Sequence, residues 1–150
     1  MTRGTVTESG PQTRTFEMMG ATIDVKVTSE ETGDTFSVIE LSIPPHFPGA
    51  PPHYHEQMPE HFHLLSGKID VLINDTWSPV LAGEHMLIQP GIVHAYRNNY
   101  DQPARFLVIA PGHDRFFFEL MDWMRAEPVW PPKDRQTLLD FGRRHDVIYI

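Results

Sequence analysis

Four histidines and two glutamates fall within residues 53–67, HYHEQMPEHFHLLSG. His53 and His55 are two positions apart, so on an extended strand their imidazoles point to the same face. Glu60 follows after a short connection that contains a proline. If the three side chains meet inside a β-structure, the buried carboxylate needs compensation, and a divalent metal supplies it directly. The spacing therefore predicts a metal site.

His94 is the candidate for a further ligand, because it follows a turn at residues 89–91 that would return the chain to the same face. Three imidazoles and one carboxylate suit Fe, Mn, Ni, Cu or Zn, whereas Mg or Ca would need more oxygen ligands. We expect one divalent transition metal, with Fe or Mn favoured over Ni, Cu and Zn. Four protein ligands leave coordination positions for water, substrate or dioxygen, which indicates a reactive centre rather than a structural one.

The remaining histidines are interpreted without a metal. His61 and His63 alternate to the face opposite Glu60, which predicts exposed or interface side chains. Positions in loops, on the surface or near helix ends are predicted for the others, which are His46, His85, His113 and His145. Near helix ends, cationic or capping roles are sufficient to explain a histidine.

The elements that must position these residues are short strands. From Phe16 to about Ala110, alternating or apolar runs are broken by Gly, Pro, Asn and Asp. The runs with strand character are TIDVKVT, FSVIELSI, HFHLLSG, KIDVLIN, EHMLIQ, VHAYRN and ARFLVIA. Turn signals such as NDTWSP and LAGE lie between them. Many short strands without an intervening helix predict an all-β fold, an antiparallel sandwich or barrel.

The last forty or so residues have a helical pattern. Asp114 is a candidate N-cap, and apolar residues follow it at helical spacing, at Phe117, Leu120, Met121 and Met124. Prolines then interrupt the chain, and a second short helix is predicted with proline at its start and Gly142 inside it or at its end. The final VIYI is predicted to be a short strand or a docked tail. Two C-terminal helices should therefore pack on the β-body.

The composition limits the partners and the compartment. A chain of 150 residues with a hydrophobic fraction of 40% is typical of one globular domain. The 12 basic and 20 acidic residues give a formal charge of -8, so the chain lacks the basic surface that nucleic acids and anionic lipids attract. Having no cysteine, it contains no disulfide, thiolate zinc site or cysteine nucleophile. Without a signal-peptide run or a membrane-length apolar stretch, we expect a cytoplasmic protein with no membrane partner.

Two segments resemble the paired motifs of the cupin superfamily. The first motif is His-x-His, three or four residues, Glu, six residues and Gly, and the matching residues are His53, His55, Glu60 and Gly67. The second is Gly, five residues, Pro-x-Gly, two residues, His, three residues and Asn, and the matching residues are Gly83, Gln89, Gly91, His94 and Asn98. Gln89 replaces the usual proline, and the leading Gly49 lies four rather than six residues before His53. These departures affect turns rather than ligand positions.

The resemblance implies a cupin jelly roll, a double-stranded β-helix, over residues 15–111. A polar N-terminal arm would precede it at residues 1–14, and the helical extension would occupy residues 112–150. The implied metal ligands are His53, His55, Glu60 and His94. Residues that share an inward face or lie beside these ligands are candidates for substrate binding, and they are Phe62, Tyr96 and Asn98.

The C-terminal extension is similar to that of flavonol-cleaving, quercetinase-like dioxygenases. That resemblance implies an oxidoreductase in which the metal binds the deprotonated hydroxyl of a small phenolic or enolic substrate, with dioxygen as co-substrate. Glu60 would then be both ligand and catalytic base. Two alternatives stay open: a redox-neutral isomerase or polyketide-type cyclase, and a non-catalytic module that binds a small molecule. A homodimer is also expected, because cupin sheets commonly pair.

Overall fold

The computed structural model describes residues 14–150, so the predicted N-terminal arm lies outside the described residues except for Arg14. The strands are β1 (Thr15–Met18), β2 (Ala21–Val27), β3 (Ser37–Ile43), β4 (His53–Tyr54), β5 (Glu60–Ser66), β6 (Lys68–Ile73), β7 (Thr76–Leu81), β8 (His85–Ile88), β9 (His94–Arg97), β10 (Ala104–Ala110) and β11 (Ile148–Tyr149). The helices are α1 (His113–Ala126) and α2 (Arg135–Arg144), and a 3₁₀ turn covers Glu30–Thr32.

The strands form two antiparallel sheets. One has six strands in the order β1-β2-β3-β10-β5-β8, and the other has five in the order β11-β4-β9-β6-β7. Strands close together in sequence, such as β5 and β6, lie in different sheets, which is the arrangement of a jelly roll. The predicted antiparallel fold and the two helices are confirmed. Among residues 14–150 the pairing gives two sheets, so we describe the fold as a two-sheet roll rather than a closed barrel.

Side-chain alternation explains how the two sheets share one core. In β3 every second residue is buried, which places Ile39 and Leu41 inside and leaves their neighbours half-buried. Phe106 on β10 and Val71 on β6 belong to the same buried cluster, although they come from different sheets. Burying each such side chain stabilises the fold by about 1.5–3 kcal/mol. The core therefore lies between the sheets.

Strand β7 corrects the sequence interpretation, which treated NDTWSP as a turn. Residues 76–81 form an edge strand of the five-stranded sheet, and Pro79 is paired with Asp70 of β6. Proline donates no backbone hydrogen bond, but an edge strand needs donors on one side only. The short strand β1 was also not predicted, because a stretch of four residues carries little periodicity, whereas the extended segment expected at His53 is the two-residue strand β4.

The cap of the first helix lies two residues before the predicted one. Gly112 is the N-cap of α1, and Asp114 lies in the first turn, so the prediction of Asp114 as the cap is wrong. The carboxylate of Asp114 instead accepts hydrogen bonds from the N–H and the hydroxyl of Ser29, the N–H bond measuring 3.0 Å. This buried contact joins the start of α1 to the loop after β2. The aspartate therefore ties the helix to the roll rather than capping it.

The second helix and the last strand bring the C-terminus back to the roll. Asp134 caps α2 by accepting a hydrogen bond from the backbone N–H of Gln136 at 2.9 Å. Gly142 lies inside the helix, where an added Cβ would stand 2.5 Å from the main-chain oxygen of Val147. Its small size lets the chain turn back so that β11 pairs with β4. Within residues 14–150, no helix is long and apolar enough to span a membrane.

Candidate metal centre

The two sheets bring four predicted ligands into one place. His53 on β4 is paired with His94 on β9, His55 follows β4 directly, and Glu60 is the first residue of β5. All four side chains are buried, with exposed fractions between 1% and 7%. Each offers one ligand atom, and these atoms all lie within 4.8 Å of one another. The cluster therefore joins the five-stranded sheet to the six-stranded sheet at one end of the core.

Glu60 is the centre of this cluster. Its Oε2 lies 2.9 Å from Nε2 of His55 and 2.7 Å from Nε2 of His94. The ring of His53 is 4.4 Å from that of His94, centroid to centroid. Neighbouring ligands on a cation with bonds of about 2.1 Å are themselves about 3 Å apart. The nitrogen–oxygen separations here fit that geometry.

A second layer of hydrogen bonds orients the three imidazoles. In each histidine, Nδ1 lies 2.7–2.9 Å from a backbone carbonyl oxygen. The pairs are His53 with Pro51, His55 with Asp146, and His94 with Ile92. Because a carbonyl only accepts, Nδ1 carries a proton, and Nε2 is the nitrogen that would bind a metal in place of its own proton. Metal-binding histidines are fixed in this way, so these residues fit a divalent metal.

Asp146 holds the loop that connects two of the ligands. Its carboxylate accepts hydrogen bonds from three consecutive backbone N–H groups, at 2.7, 2.9 and 2.9 Å. The donors are Glu56, Gln57 and Met58, which lie between His55 and Glu60. Asp146 itself adopts a left-handed backbone with φ 58°, between α2 and β11. The carboxylate and the main-chain oxygen of Asp146 both contact this region, so the C-terminal extension supports the loop that carries the candidate ligands.

Gly49 permits a close approach next to the strand that carries His94. Its φ is +79°, and an added Cβ would stand 1.6 Å from the main-chain oxygen of Tyr96 on β9. Any larger residue would have to push the loop away from this strand. The unusual position of this glycine relative to His53 therefore still serves the packing around the cluster.

The electrostatics of the cluster favour an ionised carboxylate and a neutral His53. Burial alone would raise the pKa of Glu60, but hydrogen bonds with His55 and His94 outweigh burial and hold the pKa well below its usual value. Burial lowers the pKa of His53 to about 3. Burial would also lower the pKa of His55, but the hydrogen bond to Glu60, the charge of Glu60 and the contacts with Asp146 together outweigh burial and raise the pKa. Without a metal, the carboxylate therefore favours a proton on His55.

His113 is a site residue that the sequence interpretation missed. It is the first residue of α1 and is 6% exposed, and its Nε2 lies 3.6 Å from Oε1 of Glu60. Within residues 14–150, its Nδ1 has no hydrogen-bond partner. Burial lowers the pKa of His113 to about 4, so the imidazole is neutral near pH 7. A histidine at a helix start carries no sequence signal that tells whether it faces solvent or the core.

A cavity of about 320 Å³ opens beside the cluster. Its lining is mainly aromatic and aliphatic, with His53, Glu60 and His113 as the polar groups on the side of the cluster. The two C-terminal helices contribute much of its wall, including Phe116, Phe117, Leu138 and Phe141. Among the predicted substrate-binding residues, Phe62 and Tyr96 lie in this wall. The arrangement is typical of a small-molecule site.

Asn98 has a different environment. Its side-chain nitrogen donates hydrogen bonds to the main-chain oxygens of Pro44 at 3.0 Å and Gln102 at 2.8 Å. Its side-chain oxygen accepts one from the backbone N–H of Tyr100 at 3.0 Å. It is fully buried and does not belong to the cavity lining. We therefore leave Asn98 out of the substrate site that we propose below.

The other histidines lie away from this cluster. His61 and His63 occupy the outer face of β5, where Nε2 of His61 is 3.1 Å from Nδ1 of His85. His46 pairs with Asp101, and His145 pairs with Glu119, each at 2.7 Å. These positions agree with the alternation of β5 and with a surface role for His46, whereas the His145 side chain is only 11% exposed and packs against Phe116 and Phe141.

Comparison with known proteins supports the fold. Residues 39–110 match the family model described as "Cupin domain", and the matched segment contains all four residues of the cluster. The fold of the chain is accordingly that of the cupins, with antiparallel sheets and two helices. Among proteins with curated functions, none matches this sequence.

Several solved structures share the fold. The polyketide cyclase RemF from Streptomyces resistomycificus is 25% identical, with a TM-score of 0.56, covering 74% of this chain and 79% of that one. A predicted oxalate decarboxylase from Thermotoga maritima is 20% identical, with a TM-score of 0.58 and coverages of 61% and 79%. A sugar phosphate isomerase from Silicibacter pomeroyi is 22% identical, with a TM-score of 0.54 and coverages of 61% and 59%.

Proposed function

We propose that this protein is a metal-dependent enzyme acting on a planar phenolic or enolic compound, with dioxygenation as the first candidate reaction. One observation carries the proposal. The cluster of His53, His55, Glu60 and His94 lies at one side of an apolar cavity of about 320 Å³, so a hydrophobic molecule in the cavity would meet the ligands. A sealed structural metal would not need such a neighbour.

In this proposal the metal is held by Nε2 of the three histidines and by the Glu60 carboxylate. The Nδ1–H group of each histidine donates to a backbone carbonyl, as in metal-binding histidines generally. This argument for a metal uses the geometry of the site and not its similarity to other proteins. When bound, a divalent metal supplies a Lewis-acidic centre that stabilises a deprotonated substrate hydroxyl, and a redox-active one also permits reaction with dioxygen.

The cavity walls would select and orient the substrate. Aromatic side chains from the roll and from α1 surround the space, and they include Phe62, Tyr96, Phe116 and Phe117. Rings of this kind pack well against a flat aromatic substrate. Because the wall is largely apolar, it also excludes water from the reacting group, which strengthens electrostatic interactions there.

Glu60 would receive the substrate proton. Its Oε2 is shared between His55 and His94, whereas Oε1 is 3.6 Å from His113 and has no closer partner among the hydrogen bonds of residues 14–150. The lowered pKa keeps this carboxylate ionised at neutral pH. Oε1 is thus the oxygen that we assign as acceptor for a hydroxyl entering from the cavity.

A redox-neutral cyclisation is the second candidate. The similarity to a polyketide cyclase, over 79% of that protein, favours it. The same site would serve, because a cyclisation also needs an oriented enolate and a proton acceptor.

Metal and oxygen dependence separate the two reactions. The protein would be loaded with Fe(II), Mn(II) or Zn(II) and offered flavonols and related enols with and without dioxygen. A dioxygenase consumes oxygen and works with iron or manganese but not with zinc. A cyclase or isomerase forms product anaerobically and with zinc. Binding without any product would contradict both reactions and favour a non-catalytic binding module.

A further inference from the structure

His113 differs from the other buried histidines because it has no hydrogen-bond partner in the part of the chain that the structure describes, residues 14–150. The three ligand histidines each donate from Nδ1 to a backbone carbonyl, whereas Nδ1 of His113 is buried with no acceptor or donor in reach. Its Nε2 is 3.6 Å from Oε1 of Glu60, which is longer than a hydrogen bond. Since buried polar groups are nearly always paired, a ring whose nitrogens have no close partner in residues 14–150 is available to a molecule in the cavity that it lines.

The neighbours of His113 hold its ring in a fixed direction. It stacks on Phe116 with a ring separation of 5.5 Å and an angle of 10°, and it meets Phe117 edge-on at 5.0 Å. Its ring is 5.6 Å from that of His55. All of His53, Glu60 and His113 line the same cavity. The imidazole is thus presented beside the metal ligands by an aromatic support.

The structure places His113 outside the set of metal ligands. The ligand atoms of His53, His55, Glu60 and His94 form one group within 4.8 Å, and His113 does not belong to that group. A residue next to this group is well placed to contact a molecule that binds there.

The hydrogen-bonding state of the ring follows from its surroundings. An N–H buried without an acceptor is rarer in proteins than an unpaired acceptor. The proton of the neutral ring therefore belongs on Nε2, the nitrogen near Glu60, and the unpaired lone pair remains on Nδ1. His113 then presents a donor at the side of the cluster that faces the cavity.

We propose that His113 is a substrate-binding residue whose Nε2–H donates to a carbonyl oxygen of the substrate, beside the hydroxyl that approaches the cluster. This inference rests on the proposed function and adds a second polar contact to it, so molecules with an acceptor oxygen beside the hydroxyl should bind more tightly than molecules without one. The hydroxyl would lie near Glu60, and the carbonyl would lie near His113. A phenol without the carbonyl would contact Glu60 but not His113.

Two probes and one substitution test the proposal. Zinc-loaded protein without dioxygen would be titrated with 3-hydroxyflavone, which has the adjacent hydroxyl and carbonyl, and with 2-naphthol, which has only the hydroxyl. His113→Phe keeps the stacking on Phe116 and removes the donor. The Kd for 3-hydroxyflavone should rise about tenfold, the effect of one lost hydrogen bond, whereas the Kd for 2-naphthol should change by less than about twofold.

Further variants keep the result interpretable. His113→Gln restores an N–H donor and should bring the Kd for 3-hydroxyflavone back to within about threefold of the wild type, even if His113→Phe folds poorly. His63→Phe is the matched control, because His63 lies on the outer face of β5 and outside the cavity lining. The zinc content of all three variants should equal that of the wild type.

Each other outcome overturns the inference. Equal losses for both probes, or no loss for either, would show that His113 makes no contact with a carbonyl. Loss of zinc from His113→Phe and His113→Gln would make His113 a ligand instead. If the wild-type protein binds neither probe, the proposed function itself fails, and the inference fails with it.

Discussion

The main-chain oxygen of Asp146 accepts a 2.7 Å hydrogen bond from Nδ1 of His55, a residue 91 positions earlier in the chain. The same aspartate binds the three backbone N–H groups that follow His55. The C-terminal extension therefore sets the direction of a candidate metal ligand as well as closing the cavity.

Loss of the Asp146 carboxylate should weaken metal binding. Asp146→Ala removes the acceptor for residues 56–58, so the loop between His55 and Glu60 loosens. Contacts of this supporting kind typically contribute about 10–100-fold in metal affinity. Competition with a chelator would measure the Kd for zinc. Asp140→Ala is the control, since Asp140 lies on α2 and bonds only to Gln136 among the described residues. An unchanged Kd for Asp146→Ala would contradict the supporting role.

Metal affinity should rise with pH near neutrality. Burial lowers the pKa of His55, but Glu60 and Asp146 together outweigh burial and raise it, so the metal-free site favours a proton that the metal must displace. His53, with its pKa lowered to about 3 by burial, is already neutral and releases none. Calorimetry of zinc binding in buffers of different ionisation enthalpy would count the released protons. Binding with no proton release, and with the same Kd from about pH 6 to about pH 8, would disagree with this electrostatic picture.

Asn98 should matter for stability rather than for binding. Asn98→Ala leaves buried backbone groups of Pro44, Gln102 and Tyr100 without their partners, which costs about 2–4 kcal/mol of unfolding free energy. Denaturant unfolding would measure the loss. The Kd for 3-hydroxyflavone on zinc-loaded protein should stay unchanged under conditions where the variant is folded. A selective loss of probe binding without a loss of stability would return Asn98 to the substrate site.

The homodimer remains a prediction. Strand β8 is an edge of the six-stranded sheet, and its Leu87 is 57% exposed. The edge strands of two copies would then pair at this position. Size-exclusion chromatography with light scattering should give twice the mass of the chain, and Leu87→Lys should shift the population toward monomer. A wild-type protein that is monomeric at all concentrations would remove the prediction.

Much of the fold could be predicted from the sequence, because alternation determines which face of a strand is buried. Glu60 and His61 are adjacent, yet the first is 3% exposed and the second lies on the outer face of β5. Pro79 misled the interpretation of β7, since proline is equally compatible with a turn and with an edge strand.

The parts of the site that were missed depend on long-range packing. His113 became part of the site only because α1 folds back over the roll, and periodicity cannot show where a helix docks. Asp146 supports His55 through a main-chain oxygen, which every residue type possesses. No residue pattern identifies such a contact. The four candidate ligands could be predicted from the sequence because their residue types are unusual in strands and their spacing is regular.

Metal content per chain tests the central claim most directly. The wild-type protein, reconstituted and desalted, should retain about one equivalent of a transition metal, and His94→Ala should lose most of it. His63→Ala is the matched control, because His63 lies on the outer face of β5 and should leave the metal in place. Full metal content in His94→Ala, or a wild-type protein that retains no metal, would contradict the assignment of the cluster.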